Sequence, residues 1–422
     1  MTSNSILLIE PFLPFPSKSG GHVAIYHGLK AIYDRFEKVY IVFPTKPYQG
    51  LQEEMDTLNA TFPNLVLLPF LDDRYKGTPV ERCKKEIKRF FAEKCKKQTV
   101  RFFESITNSR PHLATELYSI KDYPNDFQQF ICDTITDHDI PVVQIEFYWQ
   151  LPLVACLPAH VTKIFVHHEL WFVRQQLNLD IWGHNAYRES GVKISQWIEM
   201  AMLNQYDAVI TLSEVDREKL IQSGVNVPIY ASMAVVEDEP QRSPQPSTTT
   251  ISFLGPYHHY PNWDGVMWFL ENCWEKLLRQ NPNFRFKIIG NWKKSKIKQI
   301  TRRYPQVVFT GVVDNLDEAL AGTTMIVPIR LGSGIRMKIL EAAQLCVPFV
   351  TTTVGVEGLP FTNGDDCFVT DHPDTFVESI LQLENQAVRQ RLTEAAKKKV
   401  DASFSFRTFK NNRMEIINRI IG

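Results

Sequence analysis

Short apolar runs recur along the chain and are separated by stretches with helical spacing of apolar residues. In the first half the runs fall at 5–10, 38–43, 65–70, 141–147, 163–168, 206–213 and 228–233. In the second half they fall at 251–255, 286–290, 307–311, 325–329, 347–350 and 366–370. Continuous apolar runs are typical of strands that are buried on both faces. The alternation therefore predicts an α/β protein with doubly wound parallel sheets.

One stretch breaks this alternation. Residues 237–250 are rich in Pro, Ser and Thr and carry no apolar pattern, which is typical of a linker. A chain of 422 residues is also too long for one typical core. We therefore predict a domain at 1–236, a linker at 237–250 and a second domain at 251–402, followed by a helical tail.

The composition is that of an ordinary globular protein. The chain is 44% hydrophobic and 22% charged with a net charge of zero, which gives no general case for nucleic-acid binding. No apolar run approaches the length of a membrane helix, and the N-terminus lacks an export signal. Seven cysteines are scattered without C-x-x-C spacing, which indicates reduced thiols in the cytoplasm and no zinc site.

The strongest chemical signal lies between two apolar runs, at 325–359. There a strand, a loop containing Gly332 and Gly334, a helix at 335–345 and a second strand form one βαβ unit. Such a loop lies at the carboxyl end of a strand, where open α/β sheets bind ligands. We place Arg336 in the first turn of the helix, with Lys338 just behind it and Glu341 on the same face. Two cations at a helix N-terminus favour a bound anion, and a carboxylate can accept hydrogen bonds from two ribose hydroxyls.

An ordinary βαβ unit with solvated charges is the alternative interpretation of this stretch. We consider it weaker because the glycines, the cations and Glu341 converge on one loop. Walker-type phosphate binding is excluded, since no Gly-Lys-Ser/Thr follows the glycines, and the G-x-G-x-x-G fingerprint is absent.

The segment GSGIRMKILEA, with VPFVTT and VGVEGL after it, resembles the donor-site signature of retaining GT-B glycosyltransferases of the family 4 type. The resemblance implies two Rossmann-like domains facing across a cleft, with the donor on the second domain and the acceptor on the first. It implies that Glu341 binds the donor ribose and that the helix at about 403–422 packs back onto the first domain. Ser333 is a departure, because many members have a Glu there that faces the donor sugar.

Other donor-side residues follow from strand ends and from the same resemblance. Gly255 and Gly290 end predicted strands and leave room for a ligand, and Val312 lies in a loop that the resemblance places against the nucleotide base. Many members hold the diphosphate with an Arg and a Lys in the loop after the first strand of this domain. Here that loop contains two histidines and Asn262, so Arg336 and Lys338 are expected to make more of the contacts with the diphosphate. No carboxylate cluster accompanies the two histidines, and no metal site is predicted.

On the acceptor side we select two positions. Gly20 and Gly21 form a turn between the first strand and a helix, although a plain tight turn explains them nearly as well. His167 and His168 end a strand, and the resemblance places a histidine there beside the donor sugar or the acceptor. A histidine can donate a hydrogen bond or accept a proton, whereas a structural pair that caps the next helix is the equal alternative. We favour His168, and no sequence argument excludes His167.

The segment 81–106 is basic and amphipathic. Peripheral docking on the inner membrane face is one interpretation, and a surface helix with its aromatic residues in the first core is the one we favour. The sequence thus predicts a cytoplasmic glycosyltransferase that uses a nucleotide diphosphate sugar, a glycan or lipid-linked acceptor, and neither a cofactor nor a divalent metal. The catalytic residues would be His168, Arg336 and Lys338. A non-catalytic GT-B scaffold and a nucleotide-sugar epimerase are the alternatives.

Overall fold

The computed structural model describes residues 4–16, 20–71, 123–236 and 245–422, and every structural statement below concerns those ranges. The segment 81–106 and most of the predicted linker at 237–250 lie outside them. The chain divides into two compact units, each with its own parallel sheet. The first unit is drawn from Met1–Thr211, Arg217–Ser232 and Lys410–Gly422, and the second from Leu212–Asp216 and Met233–Phe409.

The first unit is built on a seven-stranded sheet. Its strands are β1 (Ser5–Ile9), β2 (Lys38–Thr45), β3 (Leu65–Leu71), β4 (Val142–Glu146), β5 (Thr162–His167), β6 (Ala208–Thr211) and β7 (Ile229–Ala231). Its helices are α1 (Gly20–Ile32), α2 (Leu51–Thr61), α3 (Asn125–Asp137), α4 (Trp171–Trp182), α5 (Ala186–Leu203) and α6 (Glu214–Gln222), with 3-10 segments at Tyr33–Arg35 and Tyr148–Cys156. Every residue of β1, β4 and β6 is buried, which explains their continuous apolar character.

The strand order of this sheet is β3-β2-β1-β4-β5-β6-β7, and all neighbours are parallel. The chain builds outward from β1 to β3 and then returns to add β4 on the other side of β1. The direction of winding thus reverses between β1 and β4. Ligands of open α/β sheets bind at such a reversal, beside the carboxyl ends of the two strands.

The second unit repeats this plan with six strands. They are β8 (Thr250–Leu254), β9 (Arg285–Ile289), β10 (Val307–Gly311), β11 (Thr324–Val327), β12 (Phe349–Thr351) and β13 (Phe368–Val369). The helices are α7 (Tyr260–Asn272), α8 (Trp274–Gln280), α9 (Lys294–Arg303), α10 (Leu316–Leu320), α11 (Met337–Gln344), α12 (Thr353–Val356), α13 (Pro373–Gln382) and α14 (Gln386–Ser403). The parallel order β10-β9-β8-β11-β12-β13 places the reversal between β8 and β11.

The prediction of an α/β protein with doubly wound parallel sheets is confirmed, and each predicted apolar run contains a strand. Helix α7 ends at Asn272 and α8 begins at Trp274, which is buried with its ring 5.9 Å from that of Phe286. The C-terminal part of the chain is helical, with α13 and α14 followed by α15 (Phe406–Ile421).

The tail also crosses from one unit to the other. Helix α14 belongs to the second unit, and the part of α15 from Lys410 onward belongs to the first. Within the first unit, Lys410 pairs with Asp34 at 2.6 Å and the Nε of Arg413 donates to the Ser232 hydroxyl at 3.1 Å. Across the described ranges, no helix is both long and apolar enough to cross a bilayer.

Candidate functional site

In the second unit, the winding reversal brings together the loops that follow β8 and β11. The loop after β11 contains Gly332 and Gly334, whose φ angles of 105° and 77° lie in the left-handed region that favours glycine. Ser333 between them is buried. The predicted glycine loop therefore lies at the carboxyl edge of the sheet beside the first strand of this unit, which is where a ligand is expected.

Arg336 has a different role from the one its spacing predicts. Helix α11 begins at Met337, so Arg336 is the residue before the helix and not part of its first turn. Its guanidinium turns back and donates to the backbone carbonyls of Gly334 and Gly332, the latter at 2.8 Å. The φ and ψ of residue 336, −86° and 84°, are not helical. The buried Arg336 thus closes the glycine loop and adds positive charge to it.

Lys338 connects the two loops. Its ammonium donates to the Asn262 Oδ1 at 2.7 Å, and the Asn262 amide donates to the Pro256 carbonyl at 2.9 Å. The same ammonium lies 4.4 Å from the centre of the Phe253 ring. Withdrawal from water, with a smaller effect of the Arg336 charge, lowers the pKa of Lys338 to about 7, while Glu341 acts in the opposite direction.

Glu341 lies one turn further along α11, on the same face as Lys338. Its side chain is half-buried, and burial raises the pKa of this carboxyl while Lys338 opposes the rise. The described site thus combines backbone amides, two cations and one carboxylate around a single loop.

The strand-end glycines that the sequence predicts lie beside this loop. A Cβ atom on Gly255 would lie 2.6 Å from the Asn262 Nδ2, and one on Gly290 would lie 2.7 Å from the Gly255 carbonyl oxygen. Gly290 in turn donates to the carbonyl of Gly311 at 2.7 Å. Only residues without a side chain fit these approaches. Val312 follows Gly311 and is 79% exposed, so it does not pack against these glycines.

Sequence reasoning missed one ion pair at this edge. Arg330 forms a bidentate pair with the buried Asp264, with nitrogen–oxygen distances of 3.1 and 2.7 Å. The next residue, Gly265, lies so close to the strand end that a Cβ atom there would be 2.6 Å from the Pro328 carbonyl oxygen. Asp264 was visible in the sequence as a charge early in an aromatic-rich helix, but its partner lies 66 residues away.

In the first unit, Gly20 and Gly21 are the first residues of α1. A Cβ atom on Gly21 would lie 3.3 Å from the Phe147 ring and 3.4 Å from the Phe12 ring. The start of α1 therefore packs against the residue that follows β4, at the winding reversal of this sheet.

The two adjacent histidines occupy different environments. His167 is buried, and its Nε2 lies 2.8 Å from the Glu199 Oε1. Glu199 also accepts from the backbone amides of Trp171 and Phe172 at 3.1 and 3.0 Å, at the start of α4. The residue that caps α4 is therefore Glu199 and not a histidine, and His167 contacts that capping carboxylate.

His168 instead joins the winding reversal. Its Nε2 lies 2.6 Å from the Glu146 Oε2, and its ring stacks on Phe147 with centroids 4.0 Å apart. Glu146 is the last residue of β4, and Glu10, which follows β1, is fully buried nearby. Burial, and next the charge of Glu146, raise the pKa of Glu10 well above its usual range. Both acids were missed, although each is a charged residue that ends an apolar run.

No group of three or more His, Cys, Asp or Glu side chains among the described residues is arranged to hold a metal ion. His258 and His259 lie in the loop before α7, and His259 is the residue immediately before that helix. The positive charge at the glycine loop thus comes from Arg336 and Lys338.

Comparison with known proteins supports one family for the second unit. Residues 248–386 match the family model of glycosyl transferases group 1. A curated relative, an uncharacterised 44.6 kDa protein in the cps region of Klebsiella pneumoniae, is 23% identical over 139 residues. That match covers 31% of this chain and 36% of the relative, so the chain spans about a third of the length of the relative it matches.

Solved structures resemble the whole chain. A mutant of S. aureus TarM in complex with fondaparinux, alpha-GlcNAc-glycerol and UDP has a TM-score of 0.65 at 11% identity, over 99% of this chain and 100% of that one. Sucrose-phosphate synthase from Thermosynechococcus elongatus has a TM-score of 0.69 at 12% identity, over 99% and 98% of the two chains. HepE from Anabaena in complex with UDP-glucose has a TM-score of 0.60 at 11% identity, over 98% and 99%.

At these identities the likeness shows the fold and not the activity. The fold of the chain is therefore GT-B, and its residues 248–386 are similar to the glycosyl transferases group 1 family.

Proposed function

We propose that the chain is a glycosyltransferase that moves a hexosyl group from a nucleotide diphosphate sugar to an acceptor hydroxyl, with retention of the anomeric configuration. The observation that carries the proposal is the cationic glycine loop at the winding reversal of the second sheet. Arg336, Lys338 and the start of α11 gather positive charge there, and the first turn of that helix contains no acidic residue. An anionic ligand at this place would compensate the charges.

A diphosphate is the anion that best fits this loop. The two cations supply charge on the helix side of the loop. Lys338 has a pKa of about 7 without a ligand, because it is withdrawn from water. A diphosphate close to its ammonium would restore the full charge, so binding energy is available there. Glu341, one turn deeper, would accept hydrogen bonds from the ribose hydroxyls.

The comparisons agree with a nucleotide sugar as donor. Two structural neighbours were solved with UDP or UDP-glucose, and both share the fold over nearly the whole of this chain. For this protein, the nucleotide base and the sugar of the donor belong to the proposal. Ser333, where the resemblance places a Glu beside the donor sugar, leaves the sugar contact to the backbone amides of the loop.

For the chemical step we propose that the leaving diphosphate helps to deprotonate the acceptor hydroxyl. Arg336 and Lys338 would stabilise the charge that develops on the departing oxygen. Since these side chains supply that charge, we expect transfer to continue in excess chelator and without a cofactor.

We propose that the first unit binds the acceptor, near Gly20, Gly21 and His168. The curated relative lies in a cps region, which supports an acceptor belonging to a surface polysaccharide or glycoconjugate. A lipid-linked acceptor would bring the protein to the cytoplasmic membrane face. The segment proposed for that contact, 81–106, lies outside the described residues.

A thermal-shift panel of nucleotide sugars with different bases tests the donor site. At one hundred times its dissociation constant, a true donor stabilises the folded state by about 2.7 kcal/mol. Wild type and the control Glu378→Ala, which removes an exposed carboxylate from α13, should show the shift, and Glu341→Ala should lose most of it. If no nucleotide sugar shifts the wild type, the donor site is wrong.

Product analysis with the donor that binds then tests the reaction. Transfer to an acceptor with the anomeric configuration retained is the expected outcome. An altered nucleotide sugar formed without acceptor would instead identify an epimerase. Binding without transfer or hydrolysis would identify a non-catalytic scaffold.

A further inference from the structure

Two histidine–glutamate pairs lie close together in the first unit, and they differ in what the carboxylate does. In the His167–Glu199 pair the carboxylate also caps α4 through two backbone amides, and the imidazole is fully buried. In the His168–Glu146 pair the side chain of His168 remains 11% exposed, and Glu146 caps no helix. A ligand can therefore reach the imidazole of the second pair but not that of the first.

Glu146 is held by its surroundings as firmly as a core residue. It ends β4 and is buried, and its Oε1 accepts from the Gln144 amide at 2.8 Å. Burial, and next the charge of Glu146, raise the pKa of the neighbouring acid Glu10. Burial lowers the pKa of Arg413, from α15, to about 10, while Glu146 opposes the fall. Glu146 is thus a carboxyl group held in place at the end of the strand that flanks the winding reversal.

We infer that Glu146 is a positioning residue that fixes the ring and the tautomer of His168, so that the His168 Nδ1 accepts a hydrogen bond from a substrate hydroxyl. The inference rests on the proposed function for the identity of the substrate, a sugar or an acceptor carrying hydroxyl groups. It assigns to Glu146 a role in that site.

The chemistry follows from the 2.6 Å contact. A carboxylate accepts hydrogen bonds, so the proton of a neutral imidazole lies on Nε2, towards Glu146, and Nδ1 keeps a lone pair. The parallel stack on Phe147, with an interplanar angle of 4°, holds the plane of the ring, and the contact with Glu146 selects between the two orientations in that plane. Nδ1 is then the ring atom left to meet a ligand. The step involves hydrogen bonding alone, and no covalent bond is made or broken.

The tautomer can be measured without any substrate. Nitrogen-15 NMR of histidine-labelled protein separates the two neutral tautomers, and His168→Ala identifies the His168 signals among the eleven histidines. We expect wild-type His168 to be protonated on Nε2, and Glu146→Gln to change that signal. Glu199→Gln is the matched control, because it alters the other pair and should leave the His168 signal unchanged. An Nδ1-protonated His168 in the wild type would overturn the inference, whether or not the variants fold.

A double-mutant cycle tests whether Glu146 acts through His168. Glu146→Gln should lower kcat by about 10- to 100-fold, the size of effect found when the residue that orients a metal-binding histidine is changed. In the His168→Ala background the same change should have almost no further effect. Equal effects in both backgrounds would mean that Glu146 acts structurally. Donor binding by the glycine loop should be unchanged throughout, so failure here is distinguishable from failure of the proposed donor site.

Discussion

Binding of a nucleotide sugar should draw a proton onto Lys338. The free protein holds this lysine with a pKa of about 7, from the 10.5 of an ordinary lysine, because the ammonium is withdrawn from water beside Phe253. At pH 8 about 90% of the free molecules then have a neutral Lys338, against about 10% at pH 6. A diphosphate at the glycine loop favours the charged form and returns the pKa towards its ordinary value.

The expected magnitude follows directly. Binding should take up about 0.9 proton per site at pH 8 and about 0.1 at pH 6, and affinity should fall about tenfold per pH unit above 7. A nucleotide sugar carries its diphosphate as a diester that does not titrate in this range, and Arg336 stays charged throughout. Burial raises the pKa of Glu341, and Lys338 opposes the rise.

Calorimetry at pH 8 in two buffers with different heats of ionisation measures the uptake. The variant Lys338→Arg is the control, because arginine remains protonated and should bind without proton uptake. Equal binding heats in the two buffers for the wild type would refute the reasoning, and so would undiminished uptake in Lys338→Arg. The same pKa also predicts that the free energy of unfolding of the ligand-free protein increases as the pH rises from about 7 to 10.5. In this range the unfolded chain binds the Lys338 proton and the folded chain does not.

Two further changes test the packing around the loop. Gly265→Ala would stabilise an ordinary helix by about 1 kcal/mol, but here the new Cβ would lie 2.6 Å from the Pro328 carbonyl oxygen. We expect a net loss of about 1–2 kcal/mol in denaturant unfolding of this unit, and a gain would contradict the close approach. Asp264→Asn removes the charge from the bidentate pair with Arg330 and should cost about 1–2 kcal/mol, less at high salt; a loss that does not change with salt would assign the effect to packing.

The sequence predicts the strands well because each is short, apolar and buried on both faces, as in β1 and β11. It also predicts the glycine loop, since Gly332 and Gly334 occupy conformations that other residues avoid. Arg336 is different. Its spacing is compatible with the first turn of a helix, but α11 begins one residue later, at Met337. The reason is visible only in the structure, where the Arg336 guanidinium donates to a carbonyl group of its own loop.

Glu10 and Glu146 show a second limit. Glu10 follows β1 and Glu146 is the last residue of β4, so each is a charged residue at a strand end. Yet nothing local says that the two strands are neighbours, because Leu8 pairs with Gln144, which lies 136 residues further along the chain. Their proximity follows from the strand order, in which the fourth strand returns to the side of the first.

The two sheets share this order, and it explains why each unit has one place of concentrated chemistry. In both, the first strand lies between the second and the fourth, so one reversal exists per sheet and the strand ends there have open space above them. The contents differ. The reversal of the second unit carries Arg336 and Lys338, whereas that of the first carries Glu10, Glu146 and His168. Positive charge suits a diphosphate, whereas carboxyl groups and an imidazole suit hydroxyl groups and disfavour phosphates. Under the proposed function, the same backbone plan would therefore direct the charged donor to the second unit and away from the first.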